Sequence, residues 1–158
     1  MKILSINIGF LQEMLRNGRV VKTGIFKKPI EGPIEVKRLG LEGDQQANKK
    51  LHGGEYKAIC VYPSEYYDIW KKELGKLDLS FGYFGENFTT AGLMEWDVCL
   101  GDRLSIGSAQ VVVTEPREPC ITLNARLDTK DLSARIRNTG RSGFYFSVVK
   151  EGIVKNGD

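Results

Sequence analysis

Eighteen glycines divide this 158-residue chain into short segments rich in valine, isoleucine, tyrosine and phenylalanine. Glycine supplies the positive-φ corners of tight turns, and β-branched and aromatic side chains suit a pleated surface. The pattern therefore predicts sheet folded repeatedly on itself. Nine strands are expected: Lys2 to Ile8, Arg19 to Phe26, Ile34 to Leu39, Lys57 to Tyr62, Glu86 to Thr89, Arg103 to Ile106, Gln110 to Glu115, Phe144 to Val149 and Ile153 to Lys155. Gly107 and Ser108 supply a two-residue hairpin turn between two of them. So many short strands point to a barrel or a sandwich.

Helices are the minority. Tyr66, Ile69, Trp70 and Leu74 recur at helical spacing, with Pro63 and Ser64 to open the helix and Gly75 to close it, which predicts a helix over Ser64 to Leu74. A second is expected over Leu132 to Asn138, with Asp131 as N-cap and Gly140 beyond its end, and a shorter helical turn over Ile121 to Leu127.

Composition narrows the function. At 41% hydrophobic residues the chain can bury one core unaided, and no repeat or linker divides it, so residues 1–158 read as a single domain. The first residues lack a signal peptide's apolar run and no stretch is long enough to span a bilayer, so a cytoplasmic protein with no membrane partner is expected. Cys60, Cys99 and Cys120 are too few and too widely spaced for a disulfide framework or a CxxC pair. The net charge of +3 is too small to mark a nucleic-acid surface, though it admits anionic small molecules.

The strongest chemical candidate is Cys120. Pro116-Arg117-Glu118-Pro119-Cys120 follows a predicted strand, so a thiol leaves the strand's end in a loop stiffened by two prolines. Arg117 facing the same pocket would favour the thiolate, Glu118 would oppose it, and a helical turn starting just after Cys120 would add its N-terminal dipole. The same local sequence also suits an inert buried cysteine. Cys60 and Cys99 sit in apolar, strand-like runs, where cysteine behaves as a small hydrophobe. Gly40 to Asp44 and Leu51-His52-Gly53-Gly54 flank a basic loop with Lys49 and Lys50; His52, the one histidine, reads either as a ligand or acid-base group or as a turn cap. Phe84-Gly85-Glu86-Asn87-Phe88 can orient a planar heterocycle or form a hairpin corner. Arg141-Ser142-Gly143 can grip a phosphate or form a solvated loop.

Taken in order, Thr23-Gly24-Ile25, Gly40 to Asp44, His52-Gly53-Gly54, Phe84 to Asn87, Gly101-Asp102, Pro116 to Cys120 and Arg141 to Gly143 resemble the MOSC family, which is similar to the C-terminal domain of molybdenum cofactor sulfurases. The likeness runs from near residue 3 to Asp158. It implies a mostly β, closed or partly open barrel (pyruvate-kinase-barrel-like) with two or three short helices, and a pocket for molybdenum cofactor, a molybdopterin. The family's invariant cysteine falls on Cys120, which is implied either to coordinate the metal or to carry sulfur. As a reductase of N-hydroxylated compounds, the chain would use Cys120 and His52 catalytically. Arg117, Asn87, Lys50, Gly53, Gly54, Asp44, Arg141 and Ser142 would bind the cofactor. A separate electron donor is then implied. As a carrier, the chain would take sulfur from a desulfurase, or hold the cofactor, for a client molybdoenzyme. Nothing in the chain resembles a pyridoxal-phosphate site. Asn48 and Leu51 stand where relatives often carry Asp and His, and Ser147 stands in place of a basic residue.

Overall fold

The computed structural model describes residues 1–158. Its strands are β1 (Lys2–Ile8), β2 (Gln12–Arg16), β3 (Arg19–Thr23), β4 (Lys28–Pro29), β5 (Ile34–Lys37), β6 (Gly40–Leu41), β7 (Ile59–Pro63), β8 (Phe88–Ala91), β9 (Arg103–Ile106), β10 (Ala109–Pro116), β11 (Phe144–Lys150) and β12 (Gly152–Val154). Four helices accompany them: α1 (Lys49–His52), α2 (Glu65–Leu74), α3 (Thr122–Arg126) and α4 (Leu132–Thr139).

A curled seven-stranded sheet, ordered β4-β1-β8-β7-β11-β10-β9, makes a half-barrel in which only the β7/β8 pairing is parallel. A three-stranded sheet, β12-β5-β6, covers its open side. The two sheets are tied by Ile3 N–H to Asp158 O, Gly157 N–H to Ile3 O and Ser108 N–H to Ile153 O. The space between them is solid: Ile3, Ile6, Ile34, Val36, Ile59, Val61, Val111, Phe144, Phe146 and Val154 belong to one buried cluster. A second cluster lies outside the barrel, where α2, α3 and α4 pack around Trp70, Tyr62, Phe84, Leu123 and Leu132.

The alternation of β7 and β11 decides where a ligand can bind. Ile59, Val61, Phe144 and Phe146 point into the barrel core, so Cys60, Tyr62 and Tyr145 between them face outward. Gly143 makes the approach of β11 to β7 possible. It has φ +78°, and a Cβ there would stand 2.2 Å from the Val61 carbonyl oxygen. Gly143→Ala is expected to cost about 3 kcal/mol, from positive-φ strain and a backbone clash, lowering Tm by about 10 °C in a calorimetric scan.

Several sequence expectations shift. The strand expected over Arg19 to Phe26 ends at Thr23, because it is the second arm of a separate β2–β3 hairpin turned by Asn17 (φ 51°) and Gly18 (φ 74°). Four helices form instead of two or three, since the basic loop at Lys49 and Lys50 winds into α1 with the Asn48 side chain accepting from the N–H groups of Lys50 and Leu51. Asp131 and Ser64 begin their helices without a side-chain cap, whereas Gly75 and Gly140 end theirs in the left-handed conformation. Cys99 lies outside the strands and is exposed. No helix is long and apolar enough to cross a membrane.

Candidate functional site

A cavity of about 380 Å³ lies against the outer face of β7 and β11. Cys60 and Tyr145, paired across those strands, form part of its wall. The β2–β3 hairpin contributes Arg16, Val21, Lys22 and Thr23, α1 contributes His52, and the loop after β10 contributes Arg117 and Cys120. Asp44 and Asn87 also line it. Five predicted site residues, from four separate stretches of sequence, thus share one cavity.

Cys120 is half-buried at the start of α3. Thr122 N–H donates to its Sγ at 3.4 Å, and Sγ and Thr122 Oγ1 are 3.2 Å apart. Burial opposes the charged form, but hydrogen bonding from His52 and Thr122 and the electrostatic pull of the His52 ring outweigh it and hold the thiol down at about 6. The help comes from His52 and Thr122 in place of Arg117, and Glu118 turns outward into an ion pair with Arg137. At neutral pH Cys120 is therefore mainly thiolate, the form that binds soft metals and attacks electrophilic sulfur.

This gives a pH-dependent expectation. Alkylation of metal-free protein by iodoacetamide, resolved by peptide mass, should reach half its plateau at Cys120 near pH 6. An ordinary cysteine would do so near pH ~8.5. A Cys120 profile still rising above pH ~8 would contradict the depressed value. The same depression stabilises the fold in full above pH 9, and that contribution is lost as pH falls toward 6.

Asp44 is the structural hub of the opposite wall. Its side chain is fully buried and takes both its oxygens to Lys27 Nζ, with further donors in Gly9 N–H (2.8 Å), Gln46 Nε2 (3.0 Å) and Asn87 Nδ2 (2.9 Å). Asn87 is equally committed: its Oδ1 accepts from Cys60 N–H at 3.0 Å and its Nδ2 also donates to Asn7 O. These two residues shape the wall and hold it.

Arg117 is different. It is 8% exposed, donates from Nη2 to the Phe84 carbonyl, lies over the Tyr62 ring at 5.8 Å and has no carboxylate in ion-pair contact. Burial opposes its charge, yet Cys60, Tyr145, Tyr62 and Glu86 around it hold its pKa above the usual arginine value. A buried cation with free donors on a cavity wall is an anion-binding group. Beside it the Cys60 thiol is pushed up by burial and stays neutral.

The remaining predicted residues lie elsewhere. Lys50, Gly53 and Gly54 are on and just after α1 but do not line the cavity. Arg141 pairs with Glu73 at 2.9 Å and covers the Trp70 ring, which secures α2 to the start of β11, and Ser142 Oγ donates to the neighbouring Gly143 carbonyl at 3.4 Å. In their place the fold brings Arg16, Lys27, Lys57, Cys60, Thr122 and Tyr145 to the cavity. Thr122 could have been found from its spacing two residues after Cys120, and Tyr145 from its outward position between Phe144 and Phe146. Lys27 and Arg16 carry no local signal.

Known proteins agree with this architecture. The chain is 42% identical to the protein YflK of Bacillus subtilis (strain 168), across 98% of this chain and 70% of that protein. It is 31% identical to a protein of Gibberella moniliformis named reductase, across 99% of this chain but 28% of that protein. Among solved structures, YiiM from Geobacillus stearothermophilus superposes with a TM-score of 0.80 at 40% identity, covering 99% of this chain and 71% of that one. The pattern of the MOSC domain matches residues 48–158, which take in α1 and every strand from β7 onward together with Cys120. The chain belongs to the MOSC domain family.

Proposed function

We propose that this MOSC protein binds molybdenum cofactor in the cavity and reduces N-hydroxylated small molecules, with Cys120 as the protein's ligand to the metal. The observation that carries this reading is the pairing of a thiolate with a buried guanidinium that makes no ion pair, in one cavity of about 380 Å³. The donor set fits the group. One soft thiolate suits a metal that arrives with sulfur ligands of its own, and Arg117 suits the anionic charge of a phosphate-bearing pterin. The cofactor, when bound, supplies the two-electron chemistry of N–O reduction, with electrons from a separate donor.

The chain's own residues do the rest. Cys120 would hold the metal, Arg117 would fix the anionic portion, and His52, on the same cavity wall, would supply a proton to the departing oxygen. Asp44 and Asn87 keep the wall in place. The reductase name of the Gibberella relative supports the reaction class. The low thiol pKa also supports a second reading, in which Cys120 accepts sulfur from a desulfurase and passes it to a client enzyme.

One experiment separates the two readings: elemental analysis for molybdenum and intact-mass analysis, on protein from cells that make the cofactor. Molybdenum that disappears in Cys120→Ser, with no added sulfur, supports the reductase. One extra sulfur atom on Cys120 without metal supports the carrier and sinks the first reading.

A further inference from the structure

Five lysines and arginines line the cavity, and four of them are committed within the chain or lie at the open edge. Lys27 is held by Asp44, Arg16 donates to Thr122 Oγ1 at 3.0 Å, Lys57 donates to the Leu51 carbonyl at 3.1 Å, and Lys22 is exposed on β3. Arg117 is the fifth. Only its Nη2 is used, on the Phe84 carbonyl; Nε and Nη1 bond nothing in the chain, and neither is sealed off from the cavity. The two carboxylates in the lining cannot serve it, because Asp44 is taken by Lys27 and Glu118 by Arg137. Glu86 acts on it from outside the lining, with Oε1 accepting from Tyr67, Gly82 and Thr89.

The sheet sets a second open donor beside this one. Tyr145 pairs with Glu115 across β10 and β11, and Phe144 with Pro116, so Arg117, two positions beyond Glu115, is the diagonal neighbour of Tyr145 on the outward face. Diagonal neighbours lie about 7–8 Å apart, within reach of side chains this long. Tyr145 is 8% exposed and lines the cavity, yet its hydroxyl has no partner in the chain and is likewise not sealed off. Lys57 Nζ stands over its ring at 5.9 Å and helps to hold it in place. A phenol is protonated at neutral pH and a guanidinium always charged, so both present hydrogens to whatever enters.

We propose that Arg117 and Tyr145 form a subsite on the cavity floor for a terminal phosphate group, in which the Tyr145 hydroxyl sets the preference for phosphate over carboxylate. A carboxylate offers two oxygens in one plane, which a guanidinium satisfies alone. A tetrahedral oxyanion offers oxygens in several directions at once, and so can meet a guanidinium on one strand and a hydroxyl on the next. The subsite rests on the reading of Arg117 as the anion-holding group of the cavity, and it needs neither a metal nor Cys120. At about 380 Å³ the cavity has room beyond the phosphate for the rest of an esterified ligand.

The test is isothermal titration of the full, metal-free chain with inorganic phosphate, phenyl phosphate and acetate at constant ionic strength. Wild type is expected to bind both phosphates saturably at one site, and acetate about tenfold more weakly. Tyr145→Phe should weaken phosphate binding about tenfold and leave acetate unchanged, the consequence of losing one hydrogen bond to a charged acceptor. Lys50→Gln, which removes an exposed cation outside the lining, should bind phosphate as wild type does. Tighter binding of phenyl phosphate than of inorganic phosphate identifies an esterified ligand and equal binding a free ion; each supports the subsite. No saturable binding by wild type would overturn the proposal, and so would a Tyr145→Phe variant that binds phosphate normally or loses acetate to the same degree. A Lys50→Gln variant as weak as Tyr145→Phe would overturn it too, by marking a general attraction to charge. Arg117→Met separates the two levels of the argument. If it binds phosphate as wild type does, Arg117 is not the anion-holding group; if it loses phosphate while Tyr145→Phe does not, only the part assigned to Tyr145 falls.

Discussion

Asp44→Ala is expected to destabilise the protein by about 3–5 kcal/mol, the range for removing one member of a buried ion pair. The side chains of Lys27 and Asp44 are 6% and 0% exposed, so the variant leaves an ammonium in the interior without its partner. It also strands the donors of Gly9, Gln46 and Asn87. Urea unfolding should show a lower midpoint at unchanged m, the sign of a stability change within a two-state transition. Replacing both partners, Lys27→Met with Asp44→Leu, should recover much of the loss, since no buried charge then lacks a partner. A single variant within about 1 kcal/mol of wild type would show that water reaches Lys27 and that the hub is weaker than its geometry.

Arg117→Met is expected to act in the opposite sense on the two quantities. The guanidinium is buried with no carboxylate in ion-pair contact, so an apolar chain of similar length should leave Tm unchanged or raise it. Molybdenum content in protein from cofactor-competent cells should fall about thirtyfold or more, the usual consequence of removing a buried charge from a binding site. A variant that loses stability and keeps its metal would reassign Arg117 as a structural residue bound to the Phe84 carbonyl. The expected pattern marks a residue retained for binding at a cost in stability.

Local chemistry made much of the fold legible. Lys2 to Ile8 is rich in β-branched residues and forms β1 over those same residues, the Gly107-Ser108 turn joins Ile106 to Ala109, and the apolar stripe before Gly75 forms α2. The β2 arm was not legible because Gln12 to Arg16 is half polar and buries no face, although Asn17-Gly18 is a strong hairpin turn in its own right. For the site, Cys120, His52, Arg117, Asp44 and Asn87 stand out from their surroundings in sequence. Lys27 and Arg16 do not, because their partners lie 17 and 106 positions away and only the folded chain brings them together. Arg141 and Ser142 carry the right chemistry for an anion, yet Glu73 and the β11 entrance claim them first.

The outward cavity and the solid barrel share two strands, and this determines which insertions the chain can survive. One extra residue within β7 or β11 would exchange Cys60 and Tyr145 with Ile59 and Phe146, putting a thiol and a phenol into the barrel and a pair of hydrophobes into the cavity. Both the core and the site would fail together. The β2–β3 ribbon has exposed tips at Leu15 and Val20 and no barrel ladder, so it can lengthen by a residue pair and reshape the cavity mouth while the barrel stays as it is. Changes in length that alter what enters the cavity should therefore accumulate in the ribbon, and those two strands should keep their length.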